Sequence, residues 1–222
     1  MIQERLKELR AQMQERGIDI YIVPTSDFHQ SEYVGEYFKA RKYMTGFTGS
    51  AGTAVITKEE AGLWTDGRYF VQAEKQLAGS TVMLYRMGEE GVPTVDEFVE
   101  KELPESGCIG FDGRVVNGSW GRKLLAIAEK KKGSLYVTED LIDLIWKDRP
   151  ALSKEPLFLL EEKYSGKSTA DKIADLRKVM EKEGANVHIL TSLYDIAWLL
   201  NIRGGDIDYV PVILSYLVLT DK

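Results

Sequence analysis

The residues best suited to chemistry sit in two neighbouring stretches, Met44-Thr-Gly-Phe-Thr-Gly-Ser-Ala-Gly-Thr-Ala-Val-Ile-Thr57 and Gly62-Leu-Trp-Thr-Asp-Gly-Arg-Tyr-Phe70. Thr65-Asp-Gly-Arg68 places a guanidinium just past a tight turn and beside Tyr69. Arginine offers a planar fork of donors that can grip a carboxylate or a peptide carbonyl. The same Arg68 can equally pair with Asp66, and the residues alone leave both roles open. Gly46-Phe-Thr-Gly-Ser-Ala-Gly52 invites a phosphate-loop reading. Its glycine spacing fits neither the Walker nor the dinucleotide pattern and no Lys-Ser/Thr follows, so it reads as a tight strand-entry turn. Asp19, Asp66 and Asp112 lie near strands, but their spacing does not bring them together as metal ligands, and Asp66 and Asp112 each precede a turn glycine. Ser50, Ser192 and Ser215 lack a nucleophile elbow, and His29 and His188 lack a recognisable nucleophile partner. His29, between Asp27 and Glu32, suits a loop hydrogen bond or a cleft wall. His188 alternates within a strand. Cys108 lies in an apolar strand with nothing beside it to activate the thiol.

These residues need elements to hold them. Ile2, Leu6, Leu9 and Met13 recur at helical spacing up to the stop at Gly17. Ile18–Val23 reads as a strand ended by Pro24, and Phe28–Tyr37 as a short helix or ordered loop. Arg41–Phe47 reads as a lead-in to a hairpin made of Thr53–Thr57, a polar Lys58-Glu-Glu60 turn and a strand from Leu63. A helix over 69–77 and a strand over 81–85 follow. Next come a helix over 94–103, a strand over 108–112, and a helix over 119–132 with Leu124, Leu125 and Ala128 inward. A strand over 135–138 and a short helix over 140–146 complete the alternation, which implies an α/β domain.

After a charged, proline-bearing stretch the plan restarts. Lys172–Gly184 repeats the amphipathic pattern and glycine stop of Arg5–Gly17, with Leu176-Arg177 aligned on Leu9-Arg10. Asn186–Leu190 takes the place of Asp19–Val23, and Asn201–Gly205 that of Thr45–Gly49. Tyr216–Thr220 takes the place of Thr53–Thr57. Agreement in order, spacing and stops predicts a duplication, with domain one at 1–150, a linker at 151–156 and an incomplete second domain at 157–222. The second copy reaches Asp221-Lys222 where a hairpin is expected, leaving Tyr216–Thr220 without the partner strand its counterpart has. This reading expects a chain cut inside its second domain, or a natural protein that continues.

Composition narrows the functions. The 222 residues carry 29 basic and 35 acidic side chains, a formal charge of −6, which disfavours nucleic acid. No apolar run approaches the ~20 residues of a membrane span. A single cysteine rules out an internal disulfide and suits a reducing, cytoplasmic setting.

Several motifs in one order resemble the Xaa-Pro aminopeptidases of the creatinase/prolidase type: Asp27-Phe-His-Gln-Ser-Glu-Tyr33, Gly46–Ala54, Leu63–Ala73, Ile145-Trp-Lys-Asp-Arg-Pro150, Asp195–Asp206 and Pro211–Tyr216. The resemblance spans essentially the whole chain. It implies two creatinase-type N-terminal domains, each a mixed β-sheet flanked by helices with a ribonuclease H-like motif, ahead of a pita-bread catalytic domain. It also implies a peptidase that removes the residue before proline using paired Mn²⁺ held by two aspartates, a histidine and two glutamates. Those catalytic motifs are absent here, so the resemblance implies a non-catalytic front part that shapes a cleft for short proline-containing peptides and supports a homodimer. Arg68 matches the family arginine that reaches the peptide cleft, and is the substrate-binding candidate. The alternatives are a free-standing α/β binding or dimerisation module and, from the glycine loop alone, a small nucleotide-binding protein.

Overall fold

The computed structural model describes all 222 residues. The chain forms two compact units, Met1–Glu32 with Tyr37–Pro150, and Tyr33–Glu36 with Ala151–Lys222. The first unit runs α1 (Ile2–Glu15), β1 (Ile20–Pro24), α2 (Ala40–Thr45), β2 (Thr53–Thr57), β3 (Ala61–Thr65), α3 (Phe70–Leu77), β4 (Met83–Arg86), α4 (Val95–Glu102), β5 (Cys108–Phe111), α5 (Gly118–Lys130), β6 (Ser134–Tyr136) and α6 (Leu141–Ile145). Its six strands form one sheet in the order β4-β3-β2-β1-β5-β6. β2 runs antiparallel to both β1 and β3, while β3–β4, β1–β5 and β5–β6 are parallel. Five strands therefore share one direction and β2 alone is reversed, the arrangement of the ribonuclease H-like motif.

Period-2 alternation along the strands builds two cores. Tyr21 and Val23 of β1 and Ala54 and Ile56 of β2 join Leu6, Leu9 and Met13 of α1 on one face. Ile20, Ile22, Val55 and Trp64 join Phe98 of α4 and Leu124 and Ala128 of α5 on the other. Of the short helix or ordered loop expected over Phe28–Tyr37, the structure has the loop, which runs into a single 3₁₀ turn at Glu36–Phe38. Two expectations need correction. Arg41–Phe47 is no mere lead-in, because α2 occupies Ala40–Thr45 and ends at Gly46 in the left-handed conformation, φ +76°. Leu125 faces solvent at 40 % exposure, since one helix stripe holds only Leu124, Ile127 and Ala128 against the sheet.

The second unit comprises β7 (Phe158–Leu159), α7 (Glu162–Ser165), α8 (Thr169–Lys182), β8 (Val187–Leu190), α9 (Leu193–Leu200), β9 (Ile202–Arg203) and β10 (Leu217–Thr220). It repeats the first unit at the level of single bonds. Gly17 and Gly184 both take left-handed φ, +66° and +67°. Past them, Ile18 N donates to Met13 O and Ala185 N to Met180 O. Arg10 Nε donates to Thr57 O at 2.9 Å, and Arg177 Nε to Thr220 O at 3.0 Å. β8 pairs β10 with Val187 opposite Thr220, as β1 pairs β2 with Ile20 opposite Thr57. β10 is thus paired along one edge with β8, and along the other it lacks the hairpin strand that β3 provides for β2.

One detail of the sequence alignment shifts by a residue. The left-handed cap of α9 is Asn201, φ +52°, so Asn201 corresponds to Gly46 rather than Thr45. With that shift Trp198 corresponds to Tyr43. Arg5 donates to Tyr43 O at 2.7 Å and lies over its ring, and Lys172 does the same with Trp198, also at 2.7 Å. The units differ in cover. Ile20, Ile22 and Val55 are at most 1 % exposed, while their counterparts Val187, Ile189 and Val218 are 54, 63 and 61 % exposed.

Candidate functional site

The topology collects the polar residues of the first unit at one end of its sheet. Because β1, β3, β5 and β6 run the same way, their carboxyl ends deliver Thr25-Ser-Asp27, Thr65-Asp-Gly-Arg68, Asp112-Gly-Arg114 and Asp140 to a single edge. This is where open α/β sheets bind ligands. Asp19 precedes β1 and so lies at the opposite end, where it accepts from Lys58 Nζ at 2.5 Å and from Cys108 N at 2.8 Å. The chain direction alone therefore separates Asp19 from Asp66 and Asp112. Cys108 is buried and its thiol is pushed up by that burial, which leaves it unreactive.

A cleft of about 340 Å³ opens at this edge, lined by Thr25, Ser31, Glu32, Ser50, Ala51, Gly52, Thr53, Thr65, Asp66, Arg68 and Met87. Larger depressions lie along α1 and α8, about 490 and 510 Å³; the first is lined by α1, α6 and their neighbours, and the second by α8 with Asn186 and Asp221, so neither contains the strand-end residues of this edge. Gly52 is required at the cleft because a Cβ there would meet Trp64 O at 2.9 Å. Ser31 and Glu32 come from the loop that Asp27 shapes. The Asp27 side chain is fully buried, and its Oδ1 accepts from His29 N at 2.8 Å and Ser31 N at 2.9 Å. His29 is not among the lining residues.

Arg68 lines the cleft and is held by Asp66 in a two-pronged fork. Nε donates to Oδ1 at 2.8 Å and Nη2 to Oδ2 at 2.9 Å, while Arg68 N also donates to Oδ1 at 3.1 Å. These bonds hold the Asp66 carboxyl below its ordinary value and raise the guanidinium further. The side chain remains 65 % exposed, and its Nη1 edge is not committed to Asp66. The local pairing is thus present, and it leaves donors for a second acceptor. Asp112-Gly-Arg114 forms a matching fork, with Nε to Oδ1 at 2.9 Å and Nη2 to Oδ2 at 3.0 Å. The fork is therefore a property of the Asp-Gly-Arg turn. What distinguishes Arg68 is the cleft, since Arg114 lies over the Phe28 ring, 5.1 Å from its centroid.

Sequence reasoning missed Arg41. It sits on α2 with Ala40, Met44 and Thr45 on the buried side and is itself 4 % exposed. Its guanidinium donates to Thr25 Oγ1 at 3.0 Å, to Phe47 O at 2.6 Å and to Gly49 O. Burial lowers its value to about 10, so it stays charged at neutral pH. The signal available in the sequence was an arginine at helical spacing within an otherwise apolar stripe.

The creatinase/prolidase N-terminal domain matches residues 5–144, and a second form of it matches residues 148–222. The chain belongs to the creatinase/prolidase N-terminal domain family. Among proteins with this domain, the probable Xaa-Pro aminopeptidase P of Pyrenophora teres f. teres is 47 % identical over 97 % of this chain and 33 % of its own length. That of Penicillium rubens is 45 % identical over 98 % of this chain and 36 % of its own length. The crystal structure of the X-prolyl aminopeptidase of Caenorhabditis elegans, a cytosolic enzyme with a di-nuclear active site, superposes with a TM-score of 0.92 at 34 % identity. It covers all of this chain, which spans 38 % of that one. The creatinase-type chain thus spans about a third of the length of the relatives it matches. Its own residues do not fit a di-nuclear centre, because no three His, Cys, Asp or Glu side chains gather as a metal-holding group. No helix is long and apolar enough to cross a membrane.

Proposed function

We propose that this chain is the N-terminal, non-catalytic part of a cytoplasmic Xaa-Pro aminopeptidase, and that Arg68 contributes to binding short proline-containing peptides. The observation that carries this reading is the match, over every residue of the chain, to an X-prolyl aminopeptidase more than twice its length. In the reading, residues 1–150 and 157–222 are creatinase-like domains joined by 151–156, and they also support a homodimer. Paired metal ions, manganese in this proposal, would be held by a separate catalytic domain and would supply the hydrolytic chemistry there. The work of this chain is to bind and orient. Asp66 fixes the Arg68 fork, Arg68 offers its free edge to a peptide carbonyl or carboxylate, and the Ser50 and Thr65 side of the cleft limits what enters.

The test is Arg68→Ala in the full-length polypeptide. Loss of a charge-assisted hydrogen bond is worth about 1.5–3 kcal/mol, so kcat/KM for a proline-containing peptide falls about 10- to 150-fold. Folding is spared, because the side chain is largely exposed. Unchanged kinetics would return Arg68 to its local bond with Asp66. The isolated 222-residue chain is expected to show no peptidase activity.

A further inference from the structure

We propose that Arg41 is a positioning residue for the cleft: it fixes the Gly46–Gly52 loop from beneath and, through Ser50 and Tyr69, sets the place of Arg68. This rests on the peptide-cleft reading above. Burying a guanidinium is costly unless its nitrogens find hydrogen-bond partners. Here Nε, Nη1 and Nη2 each reach a different acceptor, Thr25 Oγ1, Phe47 O and Gly49 O. None of the three is charged, so the arginine is arranged to organise backbone rather than to neutralise an acid. Two of the acceptors are carbonyls of one loop, and the third belongs to Thr25, whose own N and Oγ1 donate to Gly52 O at 3.0 and 2.8 Å. Arg41 thus ties both ends of the loop to the end of β1.

The tie reaches the cleft in one step. Ser50 follows Gly49, lines the cleft, and shares a 2.7 Å hydrogen bond with the Tyr69 hydroxyl. Tyr69 is the covalent neighbour of Arg68, and the Arg68 guanidinium lies 5.2 Å from its ring centroid. The loop has little room to settle elsewhere, since a Cβ at Gly49 would meet the Phe47 ring at 2.2 Å and the Tyr69 ring at 2.8 Å. Lysine cannot replace the fork, because a single ammonium cannot reach three acceptors set around a planar group.

The experiment measures KM and kcat of the full-length enzyme on a proline-containing peptide for Arg41→Lys, Arg41→Ala and Arg68→Ala. Arg41→Lys is expected to raise KM about 5- to 30-fold with kcat little changed. Arg41→Ala is expected to do the same, with KM restored by propylguanidinium and not by propylammonium. A role confined to folding would instead lower the active fraction, and so the apparent kcat, at unchanged KM. An unchanged KM in folded Arg41→Lys, with KM raised by Arg68→Ala, overturns the positioning role and leaves the cleft reading intact. Unchanged kcat/KM in Arg68→Ala overturns the cleft reading itself, and Arg41's role with it. Should neither Arg41 variant fold, Tyr69→Phe severs the loop's tie to Arg68, and an unchanged KM there overturns the relay.

Discussion

Asp140 and Arg149 offer the sharpest energetic test of the first unit. Their ion pair is 2.6 Å long, with side chains only 5 and 7 % exposed. Asp140 is also the cap of α6, with Oδ1 accepting from Ile142 N at 3.0 Å. Arg149 donates to Tyr37 O at 2.9 Å and stacks over the Tyr37 ring. Replacing Asp140 by Asn keeps a cap acceptor and the shape but strands the guanidinium, at a cost of about 3–5 kcal/mol. Asp140→Ala also removes the cap, worth about 1 kcal/mol more. Asp143, 3.3 Å from Arg149 and largely exposed, can move closer, which favours the lower end of the range. With about 2–4 °C of Tm per kcal/mol in a unit of this size, Asp140→Asn lowers the Tm of the first unit by roughly 6–20 °C. Removing both charges, with Asp140→Leu and Arg149→Met together, recovers most of the loss. Urea titrations of the three variants measure this directly. An Asp140→Asn chain within about 0.5 kcal/mol of the parent would refute the claim that the pair is desolvated.

Gly62 lies under the Trp64–Tyr85 stack, whose centroids are 3.9 Å apart, and a Cβ there would come within 2.6 Å of both rings. Gly62→Ala therefore costs about 1–3 kcal/mol by overpacking, read as a lower urea midpoint and a changed near-ultraviolet Trp signal. Glu139 is held below its ordinary value of 4.5, first by its bond from Arg16 and then by Tyr136. A carboxyl depressed on folding adds stability that is complete above its unfolded value and lost as pH falls through the folded one. Tm should therefore decline from about pH 5 downward, less steeply in Glu139→Gln. Equal slopes would show that the bond contributes nothing.

Much of this architecture is legible in the sequence because local signals agree with the global pattern. Thr94, with Glu97 three residues on, forms the reciprocal cap that opens α4. Gly17 and Gly184 end equivalent helices. The duplication is readable from Leu9-Arg10 and Leu176-Arg177, and the matching Arg10 and Arg177 bonds to strand carbonyls show that the likeness is structural. α2 was hidden because six residues carry less than two turns of periodicity and Arg41 interrupts the apolar stripe. The candidate site was half legible. The Asp-Gly-Arg turn announces Arg68 and its fork, but the cleft beside it is assembled from strand ends far apart in sequence. No local pattern brings Ser31, Ser50 and Arg68 together.

The unequal size of the two sheets bears on what spectroscopy reports. Trp64, Trp120 and Trp146 belong to the unit with six strands, and Trp64 is fully buried. Trp198 belongs to the unit whose β8–β10 sheet has two strands, and it is already 58 % exposed when folded. With its strand faces half-exposed, the second unit buries less apolar surface and is expected to melt first, taking the ellipticity of α8 and α9 with it while the emission of the buried indole persists. Fluorescence alone would then show a single cooperative block, and its disagreement with circular dichroism would reveal two; coincident transitions would refute the separate melting.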